Sequence, residues 1–555
     1  MKKDTFIIFF WPAISSLLFF IFALYIMLEG HLHEDIYINL NYAKNIANGD
    51  GIIFFEGGPR TEAVSDFLFT ILVSFIGFFG IDLGIASALL NSLGAFLITY
   101  ISILVCRQNN NFLNIQLIGL GSTILLIGSP IIANSIGGWS TLLYSGLITL
   151  IFFILWKSDL NKLYLIPWLG LFLSLYRPDG VVVGIASCFV ALYLIFSNTN
   201  NQIKKFILNS LFAAICGIIY LIWRYYYFGL VLPLPFYVKT NYETQIPGLN
   251  DTIRWFLNIA PFIPSLLLIP LLNKDTKRFF ISLLPFVLLI LSFMFINPLQ
   301  NYGFRYQNST FGIFIVLYLY FISYFFNVLY INLKDNKLYK FFSILIVCIL
   351  LSFNSLYIAR WALEWELRFL TSNDLVNHFS FQLRNKTNIN SKIALTEAGK
   401  FPYWANGQIL DLVGLNSKDV AINGLDYSKV EKFRPEIFFL HTVRTIKTDQ
   451  CLEQEYKKIT TQELTNYRLS QSINWKQLAQ PNMRAPGVAM DYIINNDFHI
   501  YLFCFDNEYT HLFAFNEKSN LEVKFVNKKL KELGDGKYNY SYFDMVKILN
   551  SEKKL

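Results

Sequence analysis

Long apolar runs parted by short polar clusters fill the first two thirds of the chain. A bilayer core of roughly 30 Å takes about 20 apolar residues per helix. Runs approaching that length lie at 6–28, 64–80, 83–105, 115–133, 139–156, 163–176, 180–197, 206–228, 255–272, 278–297, 310–331 and 340–360. From Trp361 onward the text turns polar, with short β-like stretches such as Ile437–Leu440 and His499–Phe503. The pattern predicts a polytopic α-helical membrane protein of about 11–13 transmembrane helices followed by one soluble α/β domain. The boundaries are 1–360 for the membrane part and 361–555 for the tail.

Positive charge orients the helices. Lys334 to Lys340, Lys274 to Arg278, Lys204-Lys205, Lys157/Lys162 and Arg107 fall on one side if helices alternate, as loops kept in the cytoplasm do. The tail and the loop at 29–63 then belong to the outer face. A count from the N-terminus disagrees with a count from the C-terminus by one crossing between residues 64 and 105. One segment there is therefore short of a full crossing, or a later span is misassigned. Met1-Lys2-Lys3 before the apolar run 6–28, with no small-x-small site after it, reads as a retained first helix rather than a cleaved signal.

Composition removes other classes. The 555 residues are 54 % hydrophobic, 17 % aromatic and 15 % charged, with a mean hydropathy of +0.43. Soluble domains carry near 25 % charge. A cytosolic enzyme, a disordered scaffold and a secreted disulfide module are excluded. The net charge of +8 sits in loop clusters rather than on one face, so nucleic acid is no partner. Cys106, Cys188, Cys216 and Cys348 read as apolar filler, while Cys451 and Cys504 would pair only if the tail faces an oxidising compartment.

The loop 29–63 carries Glu34-Asp35 directly after the first helix, and charge at a membrane boundary marks a pathway or a site. Ile36, Leu40, Ala43 and Ala47 share one helical face, which predicts an amphipathic helix lying on the membrane surface and closed by Gly49-Asp50-Gly51. Asp35 at its start suits an N-cap and equally suits a catalytic carboxylate; local pattern leaves both open.

Glu34-Asp35-Ile36-Tyr37-Ile38, Tyr42-Ala43-Lys44-Asn45, Gly49-Asp50-Gly51, Gly57 to Glu62 and Ser65-Asp66-Phe67-Leu68 resemble the first outer loop of GT-C glycosyltransferases. Within that superfamily they are similar to the group containing the mycobacterial terminal arabinofuranosyltransferase. Arg177-Pro178-Asp179-Gly180, Gly229 to Lys239, Glu397-Ala398-Gly399 with Pro402-Tyr403-Trp404, and Asp411 to Leu415 extend the resemblance in order to about residue 440. Glu34 where that group has Asp, Phe69 where Trp is common and Ala63 in place of Gly depart from it.

The resemblance implies an inverting transfer of a sugar, arabinofuranose being one candidate, from a polyprenyl-phosphate donor to a hydroxyl of a cell-envelope glycan acceptor. The reaction would run at the outer face of a bacterial inner membrane. Such chemistry needs a carboxylate to take the acceptor proton and cationic or hydrogen-bonding groups for the departing phosphate. Asp35 is the expected base, with Glu34 as partner or second choice. Arg305, Lys239, Arg177, Tyr302 and Tyr237 are the expected donor-phosphate groups. Arg60, Glu62 and Asp179 are expected at the acceptor or as bridges within the loop, the bridge being favoured for Arg60 and Glu62. Arg177 and Asp179 also suit a purely structural pair, and each cation also suits an interfacial snorkelling role.

No cofactor is expected from ligand spacing; a divalent metal, if one is held, would be sought at His33, Glu34 and Asp35. The other class consistent with these residues is a transporter or flippase of lipid-linked sugars. No internal repeat and no matched pair of broken helices points that way.

Overall fold

A computed structural model describes residues 2–107, 115–197, 202–240, 248–263, 265, 276–295, 301–332, 367, 370, 375–443, 456–470, 481–505, 509–534 and 540–552. Among these, five helices are long and apolar enough to cross a bilayer: Ile8–Glu29, Leu83–Arg107, Gly180–Ser197, Ile203–Phe228 and Thr276–Phe293. A sixth crossing results if Ile115–Ile127 and Pro130–Ile136, bent by 59° at their junction, count as one span. The chain is a multi-pass membrane protein with a mixed α/β domain at its C-terminal end. The span expected at 340–360, the boundary at Trp361 and, of the span at 255–272, residues 264 and 266–272 lie outside the described residues.

The first four helices are α1 (Lys2–Glu29), α2 (Glu34–Asn48), α3 (Phe67–Phe78) and α4 (Leu83–Arg107). At 1.5 Å per residue, the 12 residues of α3 reach about 18 Å, well short of a bilayer core. The expected crossing at 64–80 is thus corrected to a short helix, in the interval where the two charge counts disagreed. The apolar run continues past the helix, but Gly80 adopts a left-handed φ of 81° and its N–H bonds Gly77 O, turning the chain into α4. The run at 163–176 likewise holds only an 11-residue α-helix, Ile166–Tyr176, preceded by a 3-10 turn.

Helix α2 does not lie on a membrane surface. Ile36, Tyr37, Leu40 and Ala43 pack into the core of the membrane helices. Ile38 and Tyr42 pack into a second core with Phe379, Phe401 and Phe439 of the tail. The amphipathic period holds, but the polar side is covered too: Asn39, Asn41 and Asn45 are buried, and the last two donate to Phe54 O and Ile53 O. Buried amides are tolerable only when bonded in this way. Gly49, at φ 88°, caps the C-terminus by donating to Asn45 O and Ile46 O.

The tail forms a six-stranded mixed sheet with strand order β2-β1-β3-β6-β5-β4. The strands are β1 (Lys392–Leu395), β2 (Gln408–Asp411), β3 (Ile437–Val443), β4 (Tyr456–Ile459), β5 (His499–Phe505) and β6 (Tyr509–Phe515). β1 runs parallel to β2 and β3, whereas β3/β6, β6/β5 and β5/β4 are antiparallel. Cys451 and the side chain of Cys504 lie outside the described residues.

The tail is tied to the membrane helices at several points. The helix Tyr542–Glu552 returns to the membrane part, where Tyr542 N–H bonds Gly30 O and its hydroxyl meets both oxygens of Asp82. Lys418 Nζ donates to Phe228 O at the end of the helix Ile203–Phe228. Glu34, at the first position of α2, accepts the N–H groups of Gly399 and Lys400 on Oε1 at 2.8 and 3.0 Å. A Cβ on Gly399 would stand 2.0 Å from Glu34 O, so only glycine permits this approach. Gly399→Ala is expected to destabilise the protein by about 1–3 kcal/mol through backbone displacement. The check is a lowered thermal midpoint with earlier proteolytic release of the tail.

Candidate functional site

The acidic pair after α1 is split by the helix it starts. His33 stands at the N-cap of α2 and its Nδ1 accepts the Asp35 N–H at 3.4 Å, so Asp35 is not the cap. Both acids fall in the first helical turn, where the helix dipole favours negative charge. Their side chains diverge. Glu34 turns to the tail and receives Gly399 and Lys400, whereas Asp35 faces the membrane helices.

Across from Asp35 stands Arg305, with Nη1 3.8 Å from Asp35 Oδ2 and side-chain exposures of 8 % and 14 %. That separation exceeds a charge-assisted hydrogen bond of about 2.7–2.9 Å, so the two attract across a gap. The guanidinium lies 3.5 Å from the centroid of the Trp139 ring and 5.3 Å from that of Tyr306. Desolvating a cation is costly, and an indole face plus a carboxylate offsets part of it.

The backbone around both partners is fixed. Gly303 at φ 56° and Phe304 at φ 58° form a tight left-handed turn immediately before Arg305. A Cβ on Gly303 would come within 2.8 Å of Asn134 Nδ2, so the turn needs its glycine. Asn308 Nδ2 bonds Gly303 O and Asn134 Oδ1, while Trp255 Nε1 bonds Asn308 Oδ1. Trp139 is held by Asn91 of α4, whose Nδ2 donates to Trp139 O and whose Oδ1 accepts Leu143 N–H. His33 N–H bonds Gly137 O, closing the ring of contacts back to α2.

A second cluster adjoins the first through Tyr306. Arg177 lies 5.5 Å from the Tyr306 ring and 4.9 Å from that of Tyr144. Its Nε is 3.0 Å from Asp179 Oδ1 and 3.8 Å from Asp66 Oδ1. Tyr144 hydroxyl donates to Asp179 Oδ2 at 3.1 Å, and Ser140 hydroxyl to Asp66 Oδ2. Among the described residues, Arg177 thus has two carboxylates, both hydrogen-bonded elsewhere as well, whereas Arg305 faces one.

Elsewhere, Glu62 forms an ion pair with Arg224 in which both side chains are buried, and Arg224 Nε also donates to Val231 O. Arg60 stacks on Tyr227 at 4.6 Å. These two residues bridge loop 49–66 to the helix Ile203–Phe228. Tyr237 and Lys239 sit on the helix Leu234–Thr240, whose Leu234 N–H bonds Glu62 O. The side chains of Lys239 and Tyr302 lie outside the described residues.

Among the described residues, His33, Glu34 and Asp35 do not group as metal ligands; Glu397, His441 and His511 do. Helix geometry explains the correction, because Glu34 is drawn to Gly399 and His33 is spent on the cap. The tail cluster arises from strand register: His441 on β3 lies directly opposite His511 on β6. Glu397 follows β1, its Oε2 3.0 Å from His511 Nε2 and its Oε1 3.4 Å from His441 Nδ1. Burial would raise the Glu397 carboxyl, but the two imidazoles outweigh it and hold it down to about 2. Burial also lowers His441, against the pull of Glu397. Sequence spacing could not have grouped residues so far apart. Asp66, Trp139 and Arg224 were likewise missed as partners.

Residues 373–493 match a family model described as a domain of unknown function (DUF8728). No curated protein matches the chain. Among solved structures, the chain is similar to ArnT from Cupriavidus metallidurans in its apo state. The identity is 10 % and the TM-score 0.48, over 91 % of this chain and 97 % of that one.

The two acids should separate on substitution. Glu34→Gln keeps an amide oxygen for Gly399 and Lys400, so its thermal midpoint should stay close to wild type and activity should fall by no more than about threefold. Glu34→Ala leaves two N–H groups without an acceptor and should cost about 1–3 kcal/mol in thermal or denaturant unfolding.

Proposed function

We propose that the protein is a membrane-embedded glycosyltransferase of GT-C type that moves a sugar from a polyprenyl-phosphate donor to a hydroxyl of an envelope glycan. The observation that carries this reading is the Asp35–Arg305 pair. A carboxylate fixed at a helix start and a guanidinium braced on Trp139 face one another, 3.8 Å apart, where the membrane helices meet the tail. A single displacement needs a proton acceptor and an anion stabiliser on preorganised supports.

In the proposed step, the acceptor oxygen attacks the anomeric carbon and its proton passes to Asp35. The carbon–oxygen bond to the phosphate breaks as the new glycosidic bond forms. The departing phosphodiester becomes a phosphate monoester and gains one negative charge, which Arg305 takes up. Substrate entry parts the ion pair, so part of the binding energy replaces the Asp35–Arg305 attraction. Displacement in one step inverts the anomeric centre and needs no covalent enzyme intermediate.

Arg305 suits the phosphate better than Arg177, which is already held by Asp66 and Asp179. Glu34 serves as the clasp that keeps Asp35 aimed. Arabinofuranose is one candidate sugar from the resemblance of the outer-loop motifs, in a bacterial inner membrane with the tail outside. The positive clusters Lys204-Lys205 and Lys274 to Arg278 support that orientation.

The test is turnover of a pool of labelled polyprenyl-phosphate sugars by purified protein in nanodiscs, read as lipid-linked sugar consumed and polyprenyl phosphate released. Wild type should consume one donor. Asp35→Asn, still folded by thermal melt, should do so at least about 100-fold more slowly. Arg305→Lys keeps the charge but loses the planar face on Trp139, and a loss of about tenfold is expected. Equal rates for wild type and Asp35→Asn would overturn the base assignment. Donor binding without consumption would favour a flippase.

A further inference from the structure

The cluster in the tail is independent of the proposed transfer chemistry, and it brings two imidazoles and one carboxylate to a single point. The ligand atoms of Glu397, His441 and His511 all lie within 4.8 Å of one another. His441 Nδ1 stands 3.4 Å from Glu397 Oε1, longer than a charge-assisted hydrogen bond of about 2.7–2.9 Å. It matches the edge of a tetrahedron drawn about a metal with bonds of about 2.1 Å, which is roughly 3.4 Å. His511 Nε2 stands 3.0 Å from the second carboxylate oxygen, Oε2, at hydrogen-bond distance, so a bound ion would take the place of that contact.

The ligands come from β3, β6 and the turn after β1. His441 and His511 are directly opposed across the β3/β6 ladder, and their rings lie 4.8 Å apart at 30°. His441 N–H bonds Thr396 Oγ1 at 2.7 Å, which ties β3 to the residue before Glu397. His511 stacks on Phe439, which stacks in turn on Phe401. Aromatic walls on one side and partial exposure of Glu397 and His441 on the other leave the cluster approachable from solvent. Two imidazoles with one carboxylate are a borderline donor set that suits zinc and its neighbours better than magnesium or calcium.

We propose that Glu397, His441 and His511 form a binding site for a divalent transition metal of the zinc type. The ion is held by His441 Nδ1, His511 Nε2 and the Glu397 carboxylate, with a fourth position open to water. The site is structural in its effect on the fold. Glu397 lies two residues before Gly399, so a metal there pins the turn that donates to Glu34 and so fixes the tail against α2. The proposal does not depend on the transferase reading, and either can fail without the other.

The test uses the full chain in detergent, stripped with a chelator and then titrated with Zn²⁺ or Co²⁺ alone. Wild type should bind about one ion per chain, with the intense visible absorption of four-coordinate Co²⁺. Zn²⁺ should raise the thermal midpoint and the chelator should reverse it. Glu397→Gln, His441→Ala and His511→Ala should each weaken binding by at least about 100-fold, beyond what loss of an outer partner costs. His499→Ala, on the neighbouring strand, should bind like wild type. No ion on wild type, no shift in its midpoint, or unchanged binding in all three ligand variants would overturn the proposal. The wild-type titration and melt decide the question even if a variant fails to fold.

Discussion

The rest of the structure depends on burying α2 from both sides. A 15-residue helix carrying four asparagines, three of them buried, cannot enter a hydrocarbon core, and its apolar residues cannot stay in water. The fold meets both constraints by sandwiching it between α3 and the membrane-helix core on one side and the sheet domain on the other. The carboxylate of Glu34 makes the junction specific, since it receives two N–H groups from the turn after β1 while its own backbone presses on Gly399. Membrane part and tail therefore form a joint structure around one helix, and the residues at its N-terminus inherit that rigidity.

The Asp35–Arg305 pair is a consequence of this arrangement. A buried guanidinium is costly unless its charge and its hydrogen-bonding edge are both compensated. Trp139 supplies a face and Asp35 a countercharge, but the pair is too far apart for a direct charge-assisted bond. The left-handed turn at Gly303-Phe304 is held by Asn134 and Asn308, so the strain stored there is balanced by buried amide bonds. The neighbouring Arg177 cluster contrasts with it, because two acids and two tyrosines surround that guanidinium. Two arginines of similar burial thus differ in how much of their binding capacity is already committed.

Much of this was legible in the chain. Run lengths announced a polytopic helical protein, and the polarity change near residue 360 announced a separate tail, because both follow from how much apolar surface each segment must hide. The amphipathic period at Ile36, Leu40 and Ala43 was also readable. What it packed against was not, since a period of apolar residues looks the same whether lipid or protein covers the other side. The charge count places a short segment between residues 64 and 105 as one of two possibilities, but which helix is short is invisible to hydropathy, which does not register where a left-handed glycine turns the chain.

The sequence by itself determined the architecture, the presence of an acidic pair at a membrane boundary and the cations available to answer it. Local chain forces set these features: apolar periodicity, charge placement and turn chemistry act over a few residues. Tertiary structure alone decided that Glu34 clasps Gly399 while Asp35 meets Arg305, that Glu62 binds Arg224, and that His441 opposes His511 beside Glu397. The physical reason is range. Adjacent side chains at the start of a helix point in directions some 100° apart, so neighbours in sequence reach partners hundreds of residues away on different bodies.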